Sequence, residues 1–375
     1  MPAKLVAFLL ALALCASAQN PKLLLTPQRL KRLQRDRERQ TDRWLNFEHR
    51  VQTAPGSPER GFELALYYAV TQDKARAAEA AQWALKHPCE LRQVALISDW
   101  TGSAIPEASS SCPAPHAGSV GALRDSFFLA AAAGNKGESP KLDPELLRTN
   151  APDGLYDAVE YLDAVRSTQH IDLRERNRGF FSSLPQRFLL SMRPEEVEHP
   201  QWKAHIAALA LATIDPNLEG SQFLQGWGME DRFTLRDGPG VAYEFLWANP
   251  YLPGVSYQNM DPWLYDLSGL LIARGGWSQL ACWIQISPSG LQQQNCPPNW
   301  QSQVVVFGHL TLIPVNDKCI QVEREDRNES IILWNLKPQT KLIFTASGEN
   351  RSAEADPAGM WHTPEEVRGK VCVHR

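Results

Sequence analysis

From Asp153 to His170 the chain reads DGLYDAVEYLDAVRSTQH, a run dense in groups that move protons or hold anions. Tyr156, Tyr161 and His170 are able to transfer protons, Asp157, Glu160 and Asp163 are acids, and Arg166 is a fixed cation. If the run is helical, Asp157, Tyr161 and Arg166 share neighbouring faces, with His170 in or after the last turn. The same residues have a plainer use: half-buried tyrosines, and a histidine at a helix C-terminus where the dipole favours a cation. The acids also offer a glycosidase pair, which would have to stand about 5 to 9 Å apart across a bond, a separation that sequence alone does not fix.

A second constellation lies in WANPYLPGVSYQNMDPW, which supplies Trp247, Asn249, Tyr251, Tyr257 and Asn259. Its prolines and glycine exclude a continuous helix. Rings that stack on pyranose faces, beside amides that bond hydroxyls or a carboxylate, suit a sugar site. The competing use is an interdomain clasp whose aromatics are core. Seven of the twelve tryptophans fall between positions 200 and 300, which concentrates both uses there. His205 lies on the apolar run WKAHIAALALAT and reads first as a structural histidine. His309, within VVVFGHLTLI, alternates with strand-like apolar residues and is a further candidate for contact with ligand. Arg174, Arg176 and Arg178 form a basic run that reads as a solvated face, or as an attractor for a polyanion. No GxSxG elbow and no HExxH occurs, and no two cysteines have zinc-knuckle spacing, so neither serine hydrolysis nor a metal or other cofactor is expected.

These groups need a scaffold. The 375 residues are 43% hydrophobic, enough for real cores, and their number suggests about two domains. A formal charge of −4 argues against general nucleic-acid binding, which draws on Lys and Arg to release counterions. Residues 1–18, MPAKLVAFLLALALCASA, have one Lys, an apolar stretch and a small-residue end, a secretory signal with cleavage expected after Ala18. Lipid attachment at Cys15 is the alternative, but Leu14 stands where a small residue is wanted. Periplasmic or extracellular export follows, with no membrane contact after cleavage, because no second apolar run is long enough to span. Export leaves Cys89, Cys112, Cys282, Cys296, Cys319 and Cys372 where disulfides persist. The neighbouring pairs Cys89–Cys112 and Cys282–Cys296 would close short loops and leave Cys319 for Cys372.

The expected order of elements is helices, then strands. Thr26-Pro27 is an N-cap followed by proline at the first helical position. The arginine-rich helix after it reads as a solvated face, with a polyanion-binding patch as the alternative. GFELALYYAV and ARAAEAAQWAL form a helical hairpin around TQDK, and further helices are expected at 119–134, 153–168, 172–192 and 200–213. Beyond 235 the texture turns to short β-rich runs divided by turn clusters, as in an antiparallel sandwich. The domains are then 19–235, helical, and 236–375, a junction loop and β domain.

The opening PKLLLTPQRLKRLQ, and FLQGWGMEDRFTLRDGPGVAYEFLWANPYLPGVSY followed by LSGLLIARGGW, resemble the heparinase II/III-like polysaccharide lyases. The resemblance implies an N-terminal (α/α) toroid of helical hairpins, a C-terminal antiparallel β domain, and action on an acidic polysaccharide or oligosaccharide. Such a lyase cleaves beside a uronate by β-elimination: one group neutralises the carboxylate, a Tyr or His removes the C5 proton, and another protonates the leaving oxygen. On that reading Tyr156, Tyr161 and His170 are catalytic, and Arg166, Trp247, Asn249, Tyr251, Tyr257 and His309 bind substrate. Two departures stand out. The surroundings of Asp153-Gly154-Leu155-Tyr156 lack the family's pattern, and the β part is short. A glycan-binding or structural protein that keeps the fold without the chemistry is therefore the alternative, with a glycoside hydrolase on a similar toroid as a third.

Overall fold

The computed structural model describes residues 23–106, 112, 119–134, 152–266, 270–287, 290–298, 300 and 303–316. It also describes the strand backbone of 319–324, 329–334, 341–346, 352–355 and 361–362. The signal expected at 1–18, the loop expected at 135–142 and the pairing expected between Cys319 and Cys372 lie outside the described residues.

Helices come first and antiparallel strands after them. The described helices are α1 (Pro27–Glu38), α2 (Asp42–Thr53), α3 (Arg60–Thr71), α4 (Lys74–Lys86), α5 (Leu91–Thr101) and α6 (Val120–Ala132). After them come α7 (Pro152–Gln169), α8 (Arg178–Ser191), α9 (Pro194–Glu198), α10 (Trp202–Ile214), α11 (Glu219–Gly228) and α12 (Gly240–Trp247). Their ends follow local chemistry. Thr26 caps α1 by accepting from the Arg29 amide at 3.2 Å, and Asp73 caps α4 through the Ala75 amide at 2.9 Å. The expected helix 172–192 is broken: Asp172 caps a 3₁₀ turn, Leu173–Asn177, and α8 starts only at Arg178.

Two units divide the chain. The first holds residues up to Phe181 with Trp202–Pro216 and Met229–Leu252, and the second holds Ser182–Gln201, Asn217–Gly228 and everything from Pro253 onward. Within the first unit, α2 packs on α3, α3 on α5, α5 on α6 and α6 on α7; α7 packs on α10, α10 on α12, and α12 again on α2. Trp44, Phe47, Tyr67 and Phe245 stack at the α2–α12 contact, with Phe47 and Phe245 centroids 4.9 Å apart. Leu23, Leu24 and Leu25 are wholly buried, held by the Asp99 carboxylate on the Leu23 amide and the Trp100 indole on the Leu23 carbonyl, each at 2.8 Å.

The second unit carries two antiparallel sheets. β1 (Trp263–Asp266), β2 (Leu270–Arg274), β3 (Trp283–Ser287) and β4 (Gly290–Gln294) lie in chain order. The other sheet runs β5 (Val305–Phe307), β6 (Leu310–Asn316), β7 (Cys319–Arg324), β8 (Glu329–Trp334), β9 (Lys341–Ala346), β10 (Ser352–Ala355) and β11 (Trp361–His362), again with each strand beside the next. Trp263, Leu271, Ala273, Ile284 and Ile286 share one core with Phe307, Leu310 and Leu312. Arg274 and Trp283, paired across β2 and β3, donate to the Leu189 and Leu190 carbonyls at 3.2 and 2.8 Å, satisfying the last turn of α8. Gly226 in α11 has no room for a side chain, since a Cβ there would lie 2.0 Å from the Val255 carbonyl oxygen.

Disulfides join Cys89 to Cys112 and Cys282 to Cys296, the two neighbouring pairs that the spacing suggested. They are compatible with an exported protein. No helix among the described residues is long and apolar enough to cross a membrane.

Candidate functional site

The chemistry-bearing run is α7, and its inner face joins a charged cluster inside the helical unit. Tyr156 and Glu160, one turn apart, meet directly, the phenol donating to Glu160 Oε1 at 2.8 Å. From α12 the Trp247 indole donates to the Tyr156 oxygen at 3.0 Å. The other carboxylate oxygen, Glu160 Oε2, is shared by Arg124 of α6 at 2.9 Å and Arg92 of α5 at 3.3 Å. Arg124 also binds Asp157, one residue after Tyr156, and Asp125 at 2.8 Å. Arg92 reaches Glu59 at 3.3 Å and the Tyr243 hydroxyl. Gly121 on α6 leaves the space this needs: a Cβ there would be 2.8 Å from an Asp157 carboxylate oxygen.

Burial shapes the electrostatics of this cluster. Glu160 is wholly enclosed, and its two arginines are almost so, while Tyr156 is half-buried and the Asp157 side chain is 28% exposed. Burial raises the Tyr156 phenol well above 10, and the Glu160 charge adds to it, so the group keeps its proton at neutral pH. Asp157 is pushed up to about 6, mainly by burial and less by Glu160, against the pull of Arg124. Burial is the largest influence on Arg92 and Arg124 and works against their charge. Glu160 and the other groups around them, Tyr243 and Glu59 beside Arg92 and Asp157 and Asp125 beside Arg124, together outweigh it and hold both above the ordinary arginine value.

Not all the residues singled out in α7 join this cluster. Tyr161 points elsewhere: it is fully buried, edge-on to Phe127 at 5.5 Å, and its hydroxyl has no hydrogen-bond partner among the described residues. His170 ends the helix in the left-handed region, φ 59°, exposed, with its amide on the Arg166 carbonyl at 3.2 Å. Arg166 is exposed and donates to the Ile214 carbonyl at 3.0 Å, tying α7 to the end of α10. Asp163 is paired with Arg29 at 2.7 Å.

The loop residues divide between the two units. Trp247 is fully buried beneath the Arg29 guanidinium, 4.3 Å from its ring centroid. Asn249 accepts from the Tyr251 amide at 3.1 Å, an Asx turn that starts the loop. Tyr251 is 53% exposed; Arg39 donates to its hydroxyl at 2.8 Å and Arg35 lies 5.6 Å from its ring centroid. In the second unit Tyr257 is buried, edge-on to Trp277 at 5.1 Å. His309 is exposed, but not on a strand: with Gly308 it forms the two-residue turn between β5 and β6, where Gly308 takes φ 59°. His205 is buried beside Phe233, and Arg174 is paired with Asp172 at 2.6 Å, so both have structural surroundings. Arg176 and Arg178 are exposed.

Sequence reasoning missed Arg92, Arg124 and Tyr243. The signal for the two arginines was present: LRQVALISDW and VGALRDSFFLAAA each set one arginine in an apolar helical run, and a cation so placed requires a buried acid. Compared with known proteins, the chain matches no family model and no curated relative. Among the described residues, no group of three or more His, Cys, Asp or Glu side chains is arranged to hold a metal ion.

Proposed function

We propose that the chain is an exported polysaccharide-active protein of the heparinase II/III-like kind, cleaving an acidic glycan by β-elimination at the Tyr156–Asp157 edge of the cluster. Helix neighbours that run from α2 round to α12 and back support an (α/α) toroid, and the core shared by the two sheets supports a sandwich-like β part.

One observation carries the chemistry: a phenol that burial keeps protonated and a carboxyl that burial raises to about 6 are adjacent on one helix, beside two guanidiniums. Asp157, ionised above about pH 6, is the acceptor for the uronate C5 proton. Tyr156 keeps its proton and is the donor to the leaving oxygen as the C4–O bond breaks and the C4–C5 double bond forms. Arg124 supplies positive charge to the substrate carboxylate, without which the C5 proton is too weakly acidic to leave. The proton gained by Asp157 and the one lost by Tyr156 re-equilibrate through solvent. Tyr161, enclosed, and His170, about 20 Å along the helix from Tyr156 at 1.5 Å per residue, have no part in this scheme. A hydrolase pair is not supported, because Glu160 is wholly enclosed.

The second reading is binding without cleavage. It is favoured by the saturation of Arg124, whose guanidinium already serves Asp157, Glu160 and Asp125. Near-ultraviolet absorbance of the unsaturated uronate separates the two. Mature protein mixed with uronic-acid polysaccharides should give a rising trace that Tyr156→Phe abolishes while thermal melting stays cooperative. A flat wild-type trace across the panel, with binding still measurable by calorimetry, would leave the binding protein.

A further inference from the structure

The arginines of α1 and α2 are not equivalent. Arg29, Arg43 and Arg50 are spent on Asp163, Glu244 and Glu63 at 2.7, 2.9 and 2.7 Å, and Arg32 is spent on backbone carbonyls. Arg35 and Arg39, one helical turn apart, are in no ion pair among the described residues. Both are instead gathered on one partner, the exposed ring of Tyr251: Arg39 through the hydroxyl, Arg35 over the face. Asp36, the acid between them, is buried and feels the charge of both, but forms no ion pair with either among the described residues.

We infer that Arg35, Arg39 and Tyr251 form a solvent-facing binding platform for an anionic pyranose, separate from the Tyr156–Asp157 edge and serving to hold a longer stretch of the same polymer. The ring offers an apolar face to sugar C–H groups, and the two guanidiniums offer outward N–H donors in the planar geometry that suits a carboxylate. Arg39, by donating to the phenol, also fixes the ring against rotation of the side chain, so little order remains to be lost on binding. The Asx turn from Asn249 sets the backbone at Tyr251 in the same way. A neutral sugar would use the ring and leave the arginines idle, whereas a uronate uses all three. The assignment of the polymer rests on the function proposed above.

Calorimetry of the mature full chain with polygalacturonate, with dextran as the uncharged control, tests the platform. Wild type should bind polygalacturonate, more weakly as salt rises, and should ignore dextran. Tyr251→Ala and the double change Arg35→Gln with Arg39→Gln should each weaken binding by about tenfold, with unchanged melting because all three side chains reach solvent. Arg39→Lys, which keeps the charge and loses the fork, should fall between. Equal binding by wild type and Tyr251→Ala, equal binding of dextran, or no polygalacturonate binding by wild type would overturn the platform. Failure of the lyase reading has a different signature: no unsaturated product from wild type, with Tyr251-dependent binding retained.

Discussion

Arg124 and Glu160, from helices α6 and α7, form an ion pair at 2.9 Å in which the carboxylate has no exposure to water. Arg92 makes a second contact to the same oxygen at 3.3 Å, so one acid is the hinge of two cations and three helices. Truncating a cation leaves the carboxylate buried beside half its compensation. Arg124→Ala should therefore cost about 3–5 kcal/mol in urea unfolding. Adding Glu160→Gln to that variant should restore part of the loss, since a neutral amide is cheaper to bury than an unpaired charge. Additive losses in the double-mutant cycle would show that the pair is not coupled as the distances imply.

Asp157 gives this region a pH dependence of definite sign. Its folded carboxyl is pushed up to about 6 from 3.8, first by burial. Folding therefore takes up a proton between about pH 4 and 6, and the stability from this group falls as pH rises through that window. The effect is at most about 3 kcal/mol. Glu63 and Glu244 are raised as well, so the informative quantity is the difference between wild type and Asp157→Asn. That difference should be small at pH 4 and favour the variant at pH 7, and denaturant midpoints at the two pH values measure it. If elimination runs at this edge, the same variant loses activity while gaining stability.

The two tyrosines of α7 should respond in opposite ways to loss of their hydroxyls. Tyr161 buries an oxygen that has no partner among the described residues, so Tyr161→Phe should be neutral or stabilising by about 1 kcal/mol. Tyr156→Phe deprives both Trp247 and Glu160 of a bond and should cost about 1–3 kcal/mol. Chemical denaturation with tryptophan fluorescence reads both. A large loss at Tyr161 would mean that its hydroxyl has a role the enclosed ring does not reveal.

What was legible in the sequence was periodic or local. The Thr26-Pro27 start, the α3–α4 hairpin and the two short-range disulfides each depend on residues close in the chain, and the structure has them. The run from Asp153 to His170 was visible as a helix dense in proton-handling groups, but the face expected from it joined Asp157 with Tyr161 and Arg166, whereas the structure joins Tyr156 with Glu160, one turn apart, and sends Tyr161 elsewhere. Arg92 and Arg124 were not visible in it, because they come from 68 and 36 residues away from Glu160 and only folding brings them to it. His309 read as strand because apolar residues flank it, yet Gly308 at φ 59° turns the chain there. The helix expected over 172–192 failed for a similar reason: Asp172 satisfies the Arg174 amide and starts a tighter turn.

The Cys282–Cys296 bridge spans 14 residues and ties the start of β3 to the residues just beyond β4. A loop of this length contributes about 3 kcal/mol by restricting the unfolded chain. Replacing both cysteines by serine should lower stability by that amount, and treatment of the wild type with a thiol reductant should move its thermal midpoint in the same direction. A double variant that melts with wild type would assign the rigidity of this hairpin to its other tie, the Asn295 amide on the Gln279 carbonyl at 2.7 Å.

Arg32 links the fold to the Tyr251 loop. Helix α12 cannot continue past Ala248, because Pro250 forces the preceding residue out of helical geometry, so the Leu246, Trp247 and Ala248 carbonyls need other donors. Arg32 supplies them all from one guanidinium, and its placement there, nearly enclosed, lowers it to about 9, mainly through burial and then the charge of Arg29. Arg32→Met keeps the apolar stem and removes every donor, and should cost about 2–3 kcal/mol. Arg32→Lys keeps a charge but cannot bridge three carbonyls at once, so it should recover less than half of that. Because the same turn orients Trp247 and leads into Asn249 and Tyr251, Arg32→Met should also weaken polygalacturonate binding although Arg32 touches no sugar on the proposed platform. Retained binding with lowered stability would confine Arg32 to capping the helix.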